Sequence, residues 1–222
     1  IGIMVSGSLW IHLEIGFILR IYGEKINVLG RFGMIDKSFW KGKKIIITGH
    51  NGFKGTWLLI WLLQLEAEVW GISLEPDGES HLFNEVFPNI KGNFNNLEIN
   101  LLDQKKLKNQ IENIQPDFVF HLAAQALVRR SYQEPNLTWE TNVIGTLNIL
   151  ESLKNMRKKC SILIITTDKV YKNYEWHYGY RENDELGGLD PYSASKAACE
   201  ILVQSWKSSF CGNAAHQTDK LL

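Results

Sequence analysis

The chain has 222 residues, 45% of them hydrophobic, and its 24 basic and 24 acidic residues cancel to zero net charge. That length can bury one sizeable core, or one domain and part of another. The balance leaves no electrostatic reason to invoke nucleic acid or an anionic membrane, although a small phosphorylated ligand stays open.

Residues 1–33 stand apart. An apolar stretch from Ile1 to Ile21 is interrupted by Ser6, Ser8, His12, Glu14 and Arg20. It matches neither a membrane helix of about 20 apolar residues nor a secretory signal with a basic front and a small-residue cleavage site. The expectation is an upstream or unrelated extension, with the domain proper starting at Met34. A surface helix or hairpin packed on the domain is the alternative.

From Lys41 the text becomes regular. Lys44–Thr48 is an apolar β-branched run, suited to a strand buried on both faces. A glycine-rich turn follows, then a helix over Thr56–Glu66 and a second strand over Val69–Leu74. The polar stretch Asp77–Asn96 reads as a loop-rich insertion. Leu97–Leu101 is the expected third strand, with Asp103 as cap of the next helix. Phe118–Leu122 is the fourth strand, Asn136–Lys154 a long helix, and Ser161–Thr166 the fifth strand. A helix from Pro191 to Phe210 is capped by Asp190 and stopped at Gly212. Strands alternating with helices predict an α/β fold: a doubly wound, Rossmann-like parallel sheet.

The first turn, Thr48-Gly49-His50-Asn51-Gly52-Phe53-Lys54-Gly55, joins a buried strand to an amphipathic helix. Glycines are needed where the backbone turns sharply, approaches a pyrophosphate, or lets helix pack on strand. The helix start then offers free N–H groups and a positive dipole end. Gly49, Gly52, Phe53 and Gly55 are the candidate pyrophosphate contacts. Glu75, just past the second strand, is the candidate for the adenosine ribose; Lys54 is a candidate for a 2′-phosphate, but its place before the third glycine fits the helix start equally well, so the choice between NAD and NADP stays open here.

Tyr192 and Lys196 lie four residues apart and so share a helical face. A phenol, with a free pKa of about 10, is too weak a base at neutral pH unless a nearby cation favours its anion. At the carboxyl end of the fifth strand stand Thr167, able to orient a hydroxyl, Asp168, a candidate acid, and Lys169, a candidate base. The bland alternative is a capped turn with a solvated Asp–Lys pair. The three cysteines, Cys160, Cys199 and Cys211, form no CxxC pair and no regular spacing with histidine. No disulfide framework or metal site is expected, and a reducing cytoplasm suits them.

Thr-Gly-His-Asn-Gly-Phe-Lys-Gly (48–55), His-Leu-Ala-Ala-Gln (121–125), Thr-Asn-Val-Ile-Gly-Thr (141–146), Thr-Asp-Lys (167–169) and Tyr-Ser-Ala-Ser-Lys (192–196) occur in this order. Together they resemble the sugar-nucleotide branch of the extended short-chain dehydrogenases/reductases, over roughly Met34 to Phe210. Phe39-Trp40-Lys-Gly-Lys, Tyr178-Gly-Tyr-Arg-Glu-Asn183 and above all Asp168-Lys169, where most hexose-nucleotide dehydratases carry Asp-Glu, resemble the CDP-glucose 4,6-dehydratases. The resemblance implies an NAD-dependent lyase. Tyr192, helped by Lys196 and Thr167, would deprotonate the C4 hydroxyl of CDP-glucose as hydride passes to NAD. Lys169, as the neutral amine, would take the C5 proton, Asp168 would protonate the departing C6 hydroxyl, and hydride would return to C6, giving a 4-keto-6-deoxy sugar.

The same resemblance implies that Ala123, Ala124 and Gln125 lie beneath the nicotinamide ribose, that Tyr192 and Lys196 also touch the cofactor, and that Asn142 is a helix asparagine bridging water or backbone. Asn100, with Leu101, stands where relatives place an adenine-binding aspartate. Relatives commonly pair as homodimers through helices such as 136–154 and 191–210. After Phe210 the text departs from the family, so residues 211–222 are expected to be a divergent tail. The smaller substrate domain is expected to be missing, the sheet edge exposed, and the chain on its own to bind NAD weakly with little turnover. Another hexose-nucleotide dehydratase, a 4-epimerase, and a non-catalytic dinucleotide-binding module are the alternatives.

Overall fold

Ile45, Ile46 and Ile47 are consecutive and all fully buried. Successive strand residues point to opposite faces, so the strand that carries them is covered on both sides. A computed structural model of the chain describes residues 2–6, 36–75, 82–154 and 156–211, the first group by backbone pairing alone. In chain order the elements are β1 (Gly2–Ser6), α1 (Lys37–Trp40), β2 (Lys44–Thr48), α2 (Phe53–Gln64), β3 (Glu68–Ser73), α3 (Leu82–Val86) and β4 (Asn93–Glu98). They continue with α4 (Gln104–Ile114), β5 (Phe118–His121), α5 (Val128–Gln133), α6 (Pro135–Trp139), α7 (Gly145–Leu153), β6 (Ser161–Ile165) and α8 (Pro191–Phe210).

The sheet runs β1-β6-β5-β2-β3-β4, and every neighbouring pair is parallel. From β2 the chain winds outward through β3 and β4, then returns to the other side through β5 and β6. The order therefore reverses between β2 and β5, which is where such sheets open a crevice at their carboxyl ends. On one face Ile46, Ile72, Val119, Ile162 and Ile164 pack with Leu107 and Ile111 of α4, Ile149 and Leu150 of α7, and Val203 and Trp206 of α8. On the other, Ile45, Ile47, Val69 and Phe120 pack with Leu59, Leu62 and Leu63 of α2. Each such fully buried aliphatic side chain contributes about 1.5–3 kcal/mol over its exposed state.

The expected α/β architecture is present, with corrections. The third strand of the repeating units is Asn93–Glu98, not Leu97–Leu101. It is an edge strand whose residues are exposed or half-buried, so asparagines suit it, whereas the buried Ile99 and Leu101 belong to the turn before α4. The stretch read as a loop-rich insertion contains α3 and a 3₁₀ turn at Phe87–Asn89. Phe83, Phe87 and Phe94 form a ring cluster there; residues 76–81 lie outside the described residues. The long helix is interrupted by a π turn over Glu140–Ile144. The edge expected to be exposed is paired: Gly2–Ser6 runs parallel along Ser161–Ile165. Residues 7–35 of the expected extension, and residues 212–222 of the expected tail with the stop at Gly212, lie outside the described residues.

Candidate active site

At the point where strand order reverses, Gly49 takes a φ of +72° and lies so close to the next strand's end that a Cβ would stand 2.7 Å from the Ala123 nitrogen. A Cβ on Gly55 would stand 2.0 Å from the Gly49 carbonyl oxygen. These two glycines serve the turn's own packing. Gly52 differs: it caps α2 with φ −73°, and a Cβ there would meet only the Gly49 oxygen, at 3.4 Å. Its missing side chain leaves the start of α2 open. Phe53, the first residue of α2, is 65% exposed beside it.

Beyond this turn, the carboxyl ends of β3 and β4 and the ring cluster enclose a cavity of about 380 Å³. Asn51, Ser73, Glu75, Phe83, Asn96 and Glu98 are among its lining residues. Asn51 is tied down by donating to the Leu74 carbonyl at 2.6 Å. His50 is buried nearby, its Nδ1 3.1 Å from the Ser73 hydroxyl and its ring against Phe83. Burial drives its pKa down to about 4, against the pull of Asn96 and the Ile72 backbone.

The other half of the site lies between β6 and α8. Pro191 sits in the first turn of α8 and Asp190 caps it, with Ser193 closing a reciprocal capping box. Lys196 is buried, and its Nζ donates to the Ile165 carbonyl at 3.0 Å. Its pKa is lowered, by burial first, while Cys199 and Glu200 oppose the fall and Lys54 adds to it. Thr167 donates to Asp168 at 3.0 Å, and both residues act on the phenol of Tyr192. The phenol is held above its ordinary value by burial, then by Asp168 and Asp190, with Thr167 pulling the other way. Lys196, expected to favour the phenolate, spends one of its N–H donors on the strand end. Asp168 and Lys169 are exposed, on the 3₁₀ turn that Thr167 caps.

A clasp locks that turn to the helix. Tyr171 bridges Leu186, Lys172 and Glu185 pair through backbone at 2.8 Å, and Gly187 donates to the Val170 carbonyl at 2.8 Å. Gly188 sits where a Cβ would be 2.3 Å from the Ala194 nitrogen. Below, Asn142 in the π turn accepts from the Gln125 nitrogen at 2.8 Å and donates to its carbonyl at 3.1 Å and to Ser195 at 2.8 Å. It is a structural bridge, in keeping with its expected role.

The structure brings Thr167, Asp168 and Tyr192 together; Asp190, which burial would raise, is brought below its ordinary value mainly by Ser193, with Lys169 adding to the fall. Ala123 and Ala124 lie half-buried after β5. The Gln125 side chain is consumed by Thr138 and Leu127 in holding its own loop. Asn100 and Leu101 are not among the residues lining the cavity. Asn100 accepts from the Leu102 nitrogen at 2.9 Å, and Leu101 is buried against Gly145. Lys54, at the start of α2, is not among the residues lining the cavity and adds a little to the lowering of the Lys196 pKa. Sequence reasoning missed Asn51, Ser73, Phe83, Asn96 and Glu98, which only the sheet order gathers. It also missed Glu200, although the i+4 spacing that singled out Lys196 points one turn further to it.

Sheet order, a glycine turn at the reversal point and a Tyr–Lys pair on the helix after β6 define a Rossmann-like domain of the short-chain dehydrogenase/reductase class. The family described as GDP-mannose 4,6 dehydratase matches residues 46–216, and the chain belongs to it. It is 42% identical over 186 residues to a CDP-glucose 4,6-dehydratase of Salmonella typhimurium, covering 83% of this chain and 51% of that protein. Among solved structures it is similar to the UDP-glucose 4-epimerase of Thermotoga maritima with UDP-glucose, at TM-score 0.66 and 25% identity, over 75% of this chain and 52% of the other. It is also similar to the Thermus thermophilus UDP-glucose 4-epimerase in complex with NAD, at TM-score 0.64 and 26% identity, over 75% and 51%. The chain spans about half the length of the curated relatives it matches. Among the described residues no helix is long and apolar enough to cross a membrane.

Proposed function

We propose that the protein is the dinucleotide-binding part of a sugar-nucleotide 4,6-dehydratase that converts CDP-glucose to its 4-keto-6-deoxy product, with NAD as cofactor. The observation that carries this reading is the Thr167–Asp168–Lys169 turn at the strand end, with Thr167 and Asp168 acting on the half-buried phenol of Tyr192. A dinucleotide fits the remaining features: Gly52 leaves the helix start open to a pyrophosphate, and the cavity at β3 and β4 can take the adenosine. Glu75 and Glu98 line that cavity, and no Lys or Arg is among its described lining residues, which favours a ribose hydroxyl over a 2′-phosphate.

When bound, the nicotinamide supplies a temporary hydride acceptor. Thr167 aligns the C4 hydroxyl and Tyr192 takes its proton. The ketone formed at C4 acidifies C5, whose proton Lys169 removes, and Asp168 protonates the C6 hydroxyl as it leaves. The hydride taken from C4 would return to C6 while Lys169 gives its proton back to C5, which completes the 4-keto-6-deoxy sugar. Epimerisation needs no acid–base pair after the threonine, so Asp168 and Lys169 favour dehydration. Homodimers are part of the reading: Leu137, Trp139 and Ile144 on the long helix and Ile201 on α8 are exposed apolar residues on the elements expected to pair. So is the cytoplasm, which suits the free, buried thiols of Cys160 and Cys199.

The test offers CDP-, dTDP- and GDP-hexoses with NAD to a form of the protein as long as its relatives, and follows the 4-keto sugar by its absorbance in base. Preferential product from CDP-glucose is expected. Product from none of the three overturns the reading.

A further inference from the structure

Glu200 has no part in the proton transfers above, yet it completes a row on α8. Tyr192, Lys196 and Glu200 recur every four residues and share one helical face. Two of them hold neighbouring residues at the end of β6: Lys196 donates to the Ile165 carbonyl and Glu200 accepts from the Thr166 hydroxyl. The phenol of Tyr192 feels Thr167, the next residue along. The strand end that carries Asp168 and Lys169 cannot slide along the helix without breaking both hydrogen bonds.

We propose that Glu200 is a positioning residue that fixes this register and supplies the carboxylate that keeps the buried Lys196 ammonium charged. The proposal rests on the reading of Tyr192 and Lys196 given above and deepens it. The titratable groups that face Lys196 are Tyr192, Cys199 and Glu200 from its own helix, His121 from β5 and Lys54 from α2. Burial leaves His121 neutral, with a pKa pushed down to about 3, and raises the Cys199 thiol. Lys54 is a cation and works against a second one. Glu200 is the carboxylate in the set. Thr166 anchors it one residue along the strand from the carbonyl that holds Lys196, although burial raises its own pKa.

Glu200→Gln keeps an acceptor for Thr166 and nearly the same volume but removes the charge. Thr166→Val keeps the charge but removes the anchor. Carbon-13 NMR of lysine-labelled protein, assigned with Lys196→Arg, reads the titration midpoint of Lys196 directly. The midpoint is expected to fall by about one pH unit or more in Glu200→Gln, and by less in Thr166→Val. An unchanged midpoint in both variants overturns the proposal, whatever the melting temperature does. Should Glu200→Gln fail to fold, Glu200→Ala, which also removes the charge, takes its place, and a midpoint unmoved in it and in Thr166→Val is equally fatal. A parallel titration with NAD keeps the two readings apart. Wild-type protein that shows the Glu200 effect but binds no NAD refutes the dinucleotide reading alone. Protein that binds NAD with an unmoved midpoint refutes this one alone.

Discussion

Gly55 is packed so tightly on Gly49 that a single added methyl carbon would stand 2.0 Å from the Gly49 carbonyl oxygen. Three residues earlier, Gly52 has room. The same substitution should therefore read out two different things. Gly55→Ala forces the turn apart and is expected to cost about 1–3 kcal/mol, as overpacked cores do. Gly52→Ala should stay within about 1 kcal/mol of wild type, the range of a changed N-cap, yet weaken NAD binding at least about tenfold, or 1.4 kcal/mol. Urea denaturation and NAD titration of both variants check this. A Gly52→Ala protein that binds NAD normally would show that the open helix start is not the phosphate cradle.

Two buried histidines set an acid limit. Burial lowers His50 from 6.5 to about 4 and His121 from 6.5 to about 3, where Lys196 adds to the fall. His121 is held between Thr48 at 2.6 Å and Thr146 at 3.0 Å. Below its ordinary value an unfolded histidine takes up a proton that the folded one refuses, so the unfolded state gains protons as pH falls. The stability tied to each ring is fully present above pH 6.5 and drains away as pH drops toward the folded value. The slope is about 1.4 kcal/mol per pH unit for each histidine. Glu200, whose pKa is raised, works in the opposite sense and offsets part of the loss. Urea midpoints measured across this range should fall steadily, and His50→Gln should flatten the slope by about half. A flat profile would mean that these rings are protonated inside the fold.

Most of the fold was legible because buried parallel strands announce themselves. Ile45–Ile47 and Ile162–Ile164 are apolar runs of the right length, and Asp190-Pro191 marks a helix start by its own chemistry. The Asn93–Glu98 strand was not legible, because at a sheet edge burial no longer selects apolar side chains. The catalytic candidates were legible wherever one element carries them at a fixed spacing, as with Tyr192 and Lys196. The cavity was not, because Asn51, Ser73, Phe83 and Glu98 come from four separate segments that only the sheet order brings together. Lys54 shows the converse: its place in the glycine turn suggested phosphate, yet it is not among the residues that line the cavity.

The division of labour between Tyr192 and Lys169 predicts a split between two variants of the catalytically competent protein. Tyr192→Phe removes the group that opens the reaction, so both reduced nicotinamide and keto sugar should fall, by about 10²–10⁴-fold for a lost general base. Lys169→Ala leaves the first oxidation intact but blocks loss of the C5 proton. Reduced nicotinamide should then accumulate, visible by its near-ultraviolet absorbance, while 4-keto-6-deoxy product drops. Normal dehydration by Lys169→Ala would place the base elsewhere.

The carboxylates at the cavity predict which dinucleotide enters it. Glu75 and Glu98 both line the space beyond β3 and β4, and both are exposed. Their repulsion of a 2′-phosphate is therefore modest and screened by salt, about 1 kcal/mol for each charge at close range in water. Together they should make NADP bind on the order of tenfold or more weaker than NAD at low ionic strength. The gap should narrow as salt is raised and nearly close in the Glu75→Gln, Glu98→Gln double variant. Calorimetric titration with both dinucleotides at two salt concentrations measures it. Equal affinity in the wild type at low salt would mean that the adenosine ribose does not sit at these carboxylates. A preference for NAD that is insensitive to both salt and the double substitution would point to shape, not charge, as the discriminator.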